Sequence, residues 1–169
     1  MKSIKLIKIT NALREALENG STHFEARYDL ELGSVVTLVH EVVEQTLTNV
    51  HGGSEEAPWG GYLGVDDETR AVIGTCAFRS PPAEDATVEI AYFTFPAYEG
   101  QGYATTMASK LIETASLAPE VRRIIAHTLP EPNASTRVLE KIGMRFAGEV
   151  IDPEDGRVWE WEIMNKGRA

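Results

Sequence analysis

The run Tyr98-Glu99-Gly100-Gln101-Gly102-Tyr103-Ala104-Thr105-Thr106-Met107 has the chemistry of an anion site. A strand-like stretch, Thr87 to Phe95, precedes it and stops at Pro96. A helix-like stretch, Ala104 to Leu117, follows it and is closed off by Pro119. The first N–H groups of a helix have no partner within the helix and point outward. The aligned peptide dipoles place about half a positive charge there. Gly100 and Gly102 allow positive φ and let a ligand approach the backbone. Phosphate or pyrophosphate is the natural guest. The alternative is a plain turn, because a lone glycine loop is a weak signal. Two familiar phosphate loops match poorly by spelling. No Lys follows either glycine, as a Walker-type loop requires, and position 105 is Thr where a dinucleotide fingerprint needs Gly.

The order Gly100-Gln101-Gly102-Tyr103-Ala104 after a strand resembles the acyl-CoA pyrophosphate loop of the GNAT N-acetyltransferase superfamily, whose pattern is [Q/R]-x-x-G-x-[G/A]. Gly102 and Ala104 match the last two positions, and Glu99 stands at the first. A second block, Asn133-Ala134-Ser135-Thr136-Arg137-Val138-Leu139-Glu140-Lys141-Ile142-Gly143-Met144, is similar to the late helix of the branch holding the ribosomal-protein N-terminal (alanine) acetyltransferases. That branch usually reads N-x-x-S-x-R-V-L-E-K-x-G-F. The resemblance covers Tyr62 to Glu162. It implies acetyl-CoA as the acyl donor and a primary amine as acceptor, either a small amine or a protein N-terminus. It also implies an α+β fold with a mixed, mostly antiparallel sheet, splayed between its fourth and fifth strands to hold the acyl-pantetheine arm. The cofactor-binding positions carried over are Phe93, Thr94, Phe95, Gln101, Gly102, Tyr103, Ala104, Thr105, Asn133 and Ser135. A GNAT-like module that binds an acyl-CoA or a small ligand without catalysis is the alternative.

Acyl transfer to an amine needs a placed thioester, a polarised carbonyl oxygen and a deprotonated nucleophile. A backbone N–H at Phe93-Thr94-Phe95 is expected to polarise the oxygen. Glu89, flanked by Val88 and Ile90, is the first candidate for the base. Period-two alternation puts Glu89, Ala91, Phe93 and Phe95 on one face, and Ile90, Tyr92 and Thr94 on the other. The competing reading of Glu89 is a solvated residue on the polar face of a strand. Many family members use a Tyr in the late helix to protonate the leaving thiolate, but here that position is Leu139. Ser135 matches the branch's Ser and is expected to reach the CoA sulfur, unless it caps its helix. Asn133 resembles the branch's CoA-contacting Asn, yet it lies two residues before Ser135 where the branch has three.

Other departures matter too. Glu99 puts a negative charge where pyrophosphate is approached, although its backbone N–H still serves. Gln101 offers an amide donor, and Tyr103 either shields the loop or packs. Arg122-Arg123 is read either as a contact to the adenosine phosphate or as a solvated pair. His127 is a second candidate base, against a hydrogen-bonded structural role. The other histidines, His23, His40 and His51, show no metal-ligand spacing, so no metal is expected.

The elements that must position these groups follow from periodicity. Strands are read at Ile4–Ile9, Trp59–Val65, Ala71–Phe78, Thr87–Phe95, Val121–Leu129, Met144–Ile151 and Arg157–Ile163, about seven in all. Helices are read at Asn11–Asn19, Val35–Val50, Ala104–Leu117 and Asn133–Ile142, about four in all. The stretch Ser21–Gly33 is ambiguous, and His51–Pro58 reads as a polar loop. Acceptor specificity is expected from these two stretches and the last hairpin.

The chain has 169 residues, which suits one domain, 1–169, burying about 70% of its unfolded surface. No apolar run reaches the length of a bilayer span and the N-terminus lacks a signal-peptide core, so a cytoplasmic, membrane-free protein is expected. Cys76 is the one cysteine, in an apolar strand, where an inert buried thiol is expected. The formal net charge of −10 argues against nucleic-acid binding and mildly favours a cationic partner. A monomer or a homodimer fits these features equally.

Overall fold

The computed structural model describes residues 1–49 and 55–166. Val50 and the start of the polar loop, 51–54, lie outside the described residues. The strands are β1 (Ile4–Lys8), β2 (Gly61–Asp66), β3 (Val72–Phe78), β4 (Thr87–Thr94), β5 (Arg123–Thr128), β6 (Arg145–Asp152) and β7 (Gly156–Met164). They form one seven-stranded sheet in the order β1-β2-β3-β4-β5-β7-β6. Every neighbouring pair is antiparallel except β4 and β5, which run parallel. A parallel join needs a crossover. Helix α4 (Tyr103–Ser116) supplies it, carrying the chain back to the start of β5.

The parallel join is short. It runs from Thr87 opposite Arg123 to Ile90 opposite Ala126 and stops there. Beyond Ile90 the two strands part, which is the expected splay. The backbone of β4 shows what this exposes. Glu89 accepts from the Arg79 N–H and Phe95 donates to the Ile73 carbonyl, so odd-numbered residues bond toward β3. Backbone groups alternate in direction along a strand. The N–H and C=O of Tyr92 and Thr94 therefore face the gap.

The remaining helices are α1 (Asn11–Glu18), α2 (Ser21–Tyr28), α3 (Val36–Asn49) and α5 (Ala134–Lys141). Thr10 caps α1 by accepting from the Leu13 N–H, and Leu13, Ala16 and Leu17 form its buried stripe. In α3, Val39 and Val43 are buried one turn apart, so packing overrides the low helix propensity of β-branched residues. The ambiguous stretch after Ser21 forms α2, making five α-helices where about four were expected. Phe24 is the single buried residue of α2, too sparse an apolar pattern to announce a helix.

The sheet is packed on both faces. Ile90, Met107, Leu111, Ile124 and Leu139 belong to the core beneath α4 and α5. Leu13, Phe24, Val39, Val43, Leu63 and Phe95 belong to the core beneath α1, α2 and α3. Gly74 lets β3 and β4 pair closely: a Cβ there would sit 2.4 Å from the Phe93 carbonyl oxygen. Cys76 is buried and free, and burial pushes its thiol well above the usual range, as an inert core residue requires.

One polar group ties this scaffold to the loop. Asp66 is 5% exposed. Its Oδ1 accepts from the Glu68 and Thr69 N–H groups at 2.8 Å, closing the β2–β3 turn. Its Oδ2 accepts from the Tyr103 hydroxyl at 2.6 Å, fixing the first residue of α4. The Tyr103 hydroxyl, and then the Thr69 N–H, hold the Asp66 carboxyl below the ordinary carboxylate range. Burial and the bond to Asp66 push the Tyr103 phenol up to about 12. Asp66→Ala should destabilise the fold by roughly 3 kcal/mol in denaturant unfolding, because it strands a buried phenol and two N–H groups. The sign with pH follows from the depressed carboxyl. Its contribution is full above the unfolded-state pKa of about 4 and is lost as pH falls through the folded value. The variant should therefore lose less stability than the parent between neutral pH and pH ~3.

Candidate active site

A cleft of about 670 Å³ opens where β4 and β5 part. Tyr92, Phe93 and Thr94 of β4 form one wall, and Ala134, Ser135 and Val138 of α5 another. Gly102, Tyr103, Ala104 and Thr105 close its end. Gly102 sits before the first turn of α4 at φ +91°, a conformation that side chains resist. It provides no side-chain cap, and the first intrahelical bond runs from the Thr106 N–H to the Gly102 carbonyl at 3.2 Å. The N–H groups of Tyr103, Ala104 and Thr105 precede that bond and are left without helical partners. The free N–H groups make this end of the cleft suited to an anion. The gap offers the free backbone of Tyr92 and Thr94, and the buried Thr94 hydroxyl has no partner of its own.

Two further cavities meet this cleft. One, of about 550 Å³, lies between α3 and the strands β3 and β4, with Leu38, Glu41 and Gln45 on its helical side. It shares Tyr92 and Phe93 with the first cleft. The other, of about 380 Å³, contains Glu89 and His127. It shares Tyr92 and Ser135 with the first cleft, and Arg79, Ala91 and Tyr92 with the second. All three converge on Tyr92.

Ion pairs fix the floor of this junction. Glu89 Oε2 lies 3.2 Å from Arg79 Nη1 and 3.4 Å from His127 Nδ1. The other guanidinium nitrogen of Arg79 reaches Glu154 in the β6–β7 turn at 3.2 Å. His127 Nε2 lies 3.2 Å from Glu160 Oε1, and Glu160 pairs with Arg123 at 3.0 Å. The Glu89 side chain is 20% exposed, so it sits at the mouth of its cavity and within reach of a ligand.

The expected site residues divide by position. Phe93, Thr94, Gly102, Tyr103, Ala104, Thr105 and Ser135 line the cleft. The Tyr103 ring turns inward to Asp66, so its backbone faces the cleft while its side chain packs. Glu89 is one cavity away, joined through Tyr92 and Ser135. Three residues lie elsewhere. Phe95 is fully buried in the core beneath α1–α3, and its N–H is spent on Ile73. Gln101 is exposed and outside the cleft lining. Asn133 is the cap of α5: its Oδ1 accepts from the Thr136 N–H at 2.9 Å, and Thr136 Oγ1 accepts from the Asn133 N–H. Ser135 is thereby released from capping. Arg123 is paired with Glu160 and Glu162 at the end of β5 away from the gap. Leu139 is fully buried.

Tyr92 is the residue that sequence reasoning missed. Its hydroxyl donates to the Ser135 carbonyl over a long 3.5 Å. Burial pushes the phenol up to about 12, so it keeps its proton at neutral pH. The alternation that placed Tyr92 opposite Glu89 was visible, but nothing local marked the convergence. Among the described residues, no group of three His, Cys, Asp or Glu side chains is arranged to hold a metal ion. Nor is any described helix long and apolar enough to cross a membrane.

The acetyltransferase (GNAT) domain family matches residues 12–145, most of the chain. The chain belongs to the GNAT acetyltransferase family. A curated relative, the uncharacterized N-acetyltransferase p20 of Bacillus licheniformis, is 31% identical over 90 residues, 53% of this chain and 51% of its own length. The match thus spans about half of that relative. The GNAT fold extends over nearly the whole chain. RimL, a ribosomal L7/L12 alpha-N-protein acetyltransferase solved with coenzyme A, superposes with a TM-score of 0.68 at 14% identity, covering 99% of this chain and 97% of that one. The spermidine N-acetyltransferase of Vibrio cholerae, solved with CoA and spermine, gives 0.62 at 13% identity, covering 97% and 96%. At these identities the likeness is one of fold.

Proposed function

We propose that this GNAT protein is an acetyl-CoA-dependent N-acetyltransferase that moves an acetyl group to a primary amine by direct attack in a ternary complex. The observation that carries this reading is the meeting, at Tyr92 and Phe93, of a cleft ending in free helix N–H groups with a second cleft under α3. The first suits the donor and the second the acceptor. Acetyl-CoA, when bound, supplies the acetyl group as a thioester.

The residues of the chain do the rest. The N–H groups of residues 103–105 hold the pyrophosphate, and Gly102 lets it approach. A backbone N–H of Thr94 or Tyr92, facing the gap, polarises the acyl oxygen. Glu89 takes the proton from the acceptor ammonium, directly or through water. Tyr92, kept protonated by burial, donates to the leaving sulfur in place of the Tyr that Leu139 displaces, with Ser135 beside it. The acceptor is a small amine or a protein N-terminus. The Asn133–Met144 block supports the branch of ribosomal-protein N-terminal acetyltransferases.

Free-thiol release from acetyl-CoA, screened over a panel of amines and N-terminal peptides, tests the reading. Product with at least one acceptor is expected, together with calorimetric binding of acetyl-CoA. Binding with no product across the panel would instead select a sensor of acyl-CoA, and no binding at millimolar concentration would reject the site. Tyr92→Phe should lower kcat by about tenfold while leaving the KM for acetyl-CoA unchanged, because only the donated proton is lost.

A further inference from the structure

His127 lies among three carboxylates, and its two nitrogens differ. Nε2 is 3.2 Å from Glu160 Oε1 on β7 and makes a hydrogen bond there. Nδ1 is 3.4 Å from Glu89 Oε2 on β4 and 3.8 Å from Asp152 Oδ2 on β6. Yet Nδ1 is buried and makes no hydrogen bond. A carboxylate can only accept, so Glu160 requires the N–H on Nε2. In the neutral ring Nδ1 is then also an acceptor. Nδ1 and Glu89 Oε2 face each other with no proton between them, and a proton delivered to Glu89 fills that gap.

We infer that His127 is the positioning residue for Glu89 and carries its proton away. The inference rests on the reading of Glu89 as the base. The acceptor N–H bond breaks as Glu89 Oε2–H forms. That bond breaks as His127 Nδ1–H forms, while Nε2–H breaks and Glu160 Oε1–H forms. One proton enters the ring and one leaves it, so the imidazole ends neutral in its other tautomer. Glu160 is 20% exposed and can release its proton to water. The charged groups around this path are Arg79 after β3, Glu89 on β4, Arg123 on β5, Asp152 on β6, Glu160 on β7, and Asp155 in the β6–β7 turn. Arg79 pairs with the same Glu89 oxygen at 3.2 Å and is itself anchored to Glu154.

The test is steady-state kinetics of the full chain with acetyl-CoA and the best amine of the panel. His127→Ala should lower kcat by about tenfold to a hundredfold and leave the KM for acetyl-CoA unchanged. The profile of kcat against pH should also change, because the proton loses its path away from Glu89. Added imidazole, which fits the vacated cavity, should restore part of kcat. A variant that matches the parent in kcat and pH profile while Glu89→Gln is inactive overturns the inference and spares the base. Loss of kcat with an unmoved profile and no rescue by imidazole marks a structural histidine and also overturns it. If His127→Ala fails to fold, Glu160→Gln decides: it keeps the hydrogen bond but cannot take up the proton, so kcat should fall by about tenfold. A parental kcat there overturns the inference.

Discussion

Replacing Glu89 with Gln should lower kcat by about two orders of magnitude or more, with the calorimetric affinity for acetyl-CoA unchanged. The split follows from position. Glu89 borders the cavity beyond Tyr92 and Ser135 and is absent from the walls of the donor cleft. Gln has the same shape and can still accept from Arg79, but it cannot take a proton from an ammonium. The fold should tolerate the change. Arg79 keeps Glu154 as a partner, and half-exposed ion pairs contribute at most about 1 kcal/mol. Measured kcat/KM for the acceptor, followed across pH, then separates chemistry from binding. A Gln variant with parental kcat would move the base role from Glu89 to water or to another group.

Sequence and structure disclose different parts of this site. The helix terminus at 102–105 was legible because its signal is local: a strand, two glycines and an apolar-periodic helix in succession. Strands β2, β3 and β4 were legible for the same reason, as alternating runs bounded by turn residues. The parting of β4 and β5 was reached through family resemblance alone, since no residue in either strand states where their pairing ends. Helix α2 was hidden because Phe24 is its single buried anchor. Asn133 and Ser135 both have cap chemistry, and only the backbone shows that Asn133 takes the cap and leaves Ser135 to the cleft. The network Arg79–Glu89–His127–Glu160 joins the strands β4, β5 and β7 and the residue that follows β3. It has no local pattern to read. The same holds for Tyr92, whose importance comes from three cavities meeting at one ring. Glu99 lines the cleft, so the negative charge noted in the sequence stands on its wall.

Ala104→Asp should abolish most acetyl-CoA binding while leaving the protein as stable as the parent or slightly more so. The two effects have opposite signs because one physical feature serves two purposes. Ala104 is the second residue of α4 and lines the donor cleft. A carboxylate in the first turn interacts favourably with the free N–H groups and the dipole, adding roughly 0.3–1 kcal/mol to folding. The same carboxylate occupies the donors that the pyrophosphate needs and repels its charge. At about 4 Å and an effective dielectric of about 20, like charges repel by roughly 4 kcal/mol. An increase in Kd of at least about a hundredfold is therefore expected by calorimetry. Ala104→Asn separates charge from bulk. It fills the same space without charge, so its Kd should rise by about tenfold or less, and added salt should narrow the gap between the two variants. Equal losses in Asp and Asn would mean that size alone matters, and parental binding in Asp would mean that the phosphates sit elsewhere. Thermal unfolding of the two variants without ligand completes the comparison. A drop in stability of the Asp form would show that its carboxylate does not reach the free N–H groups on which the donor site depends.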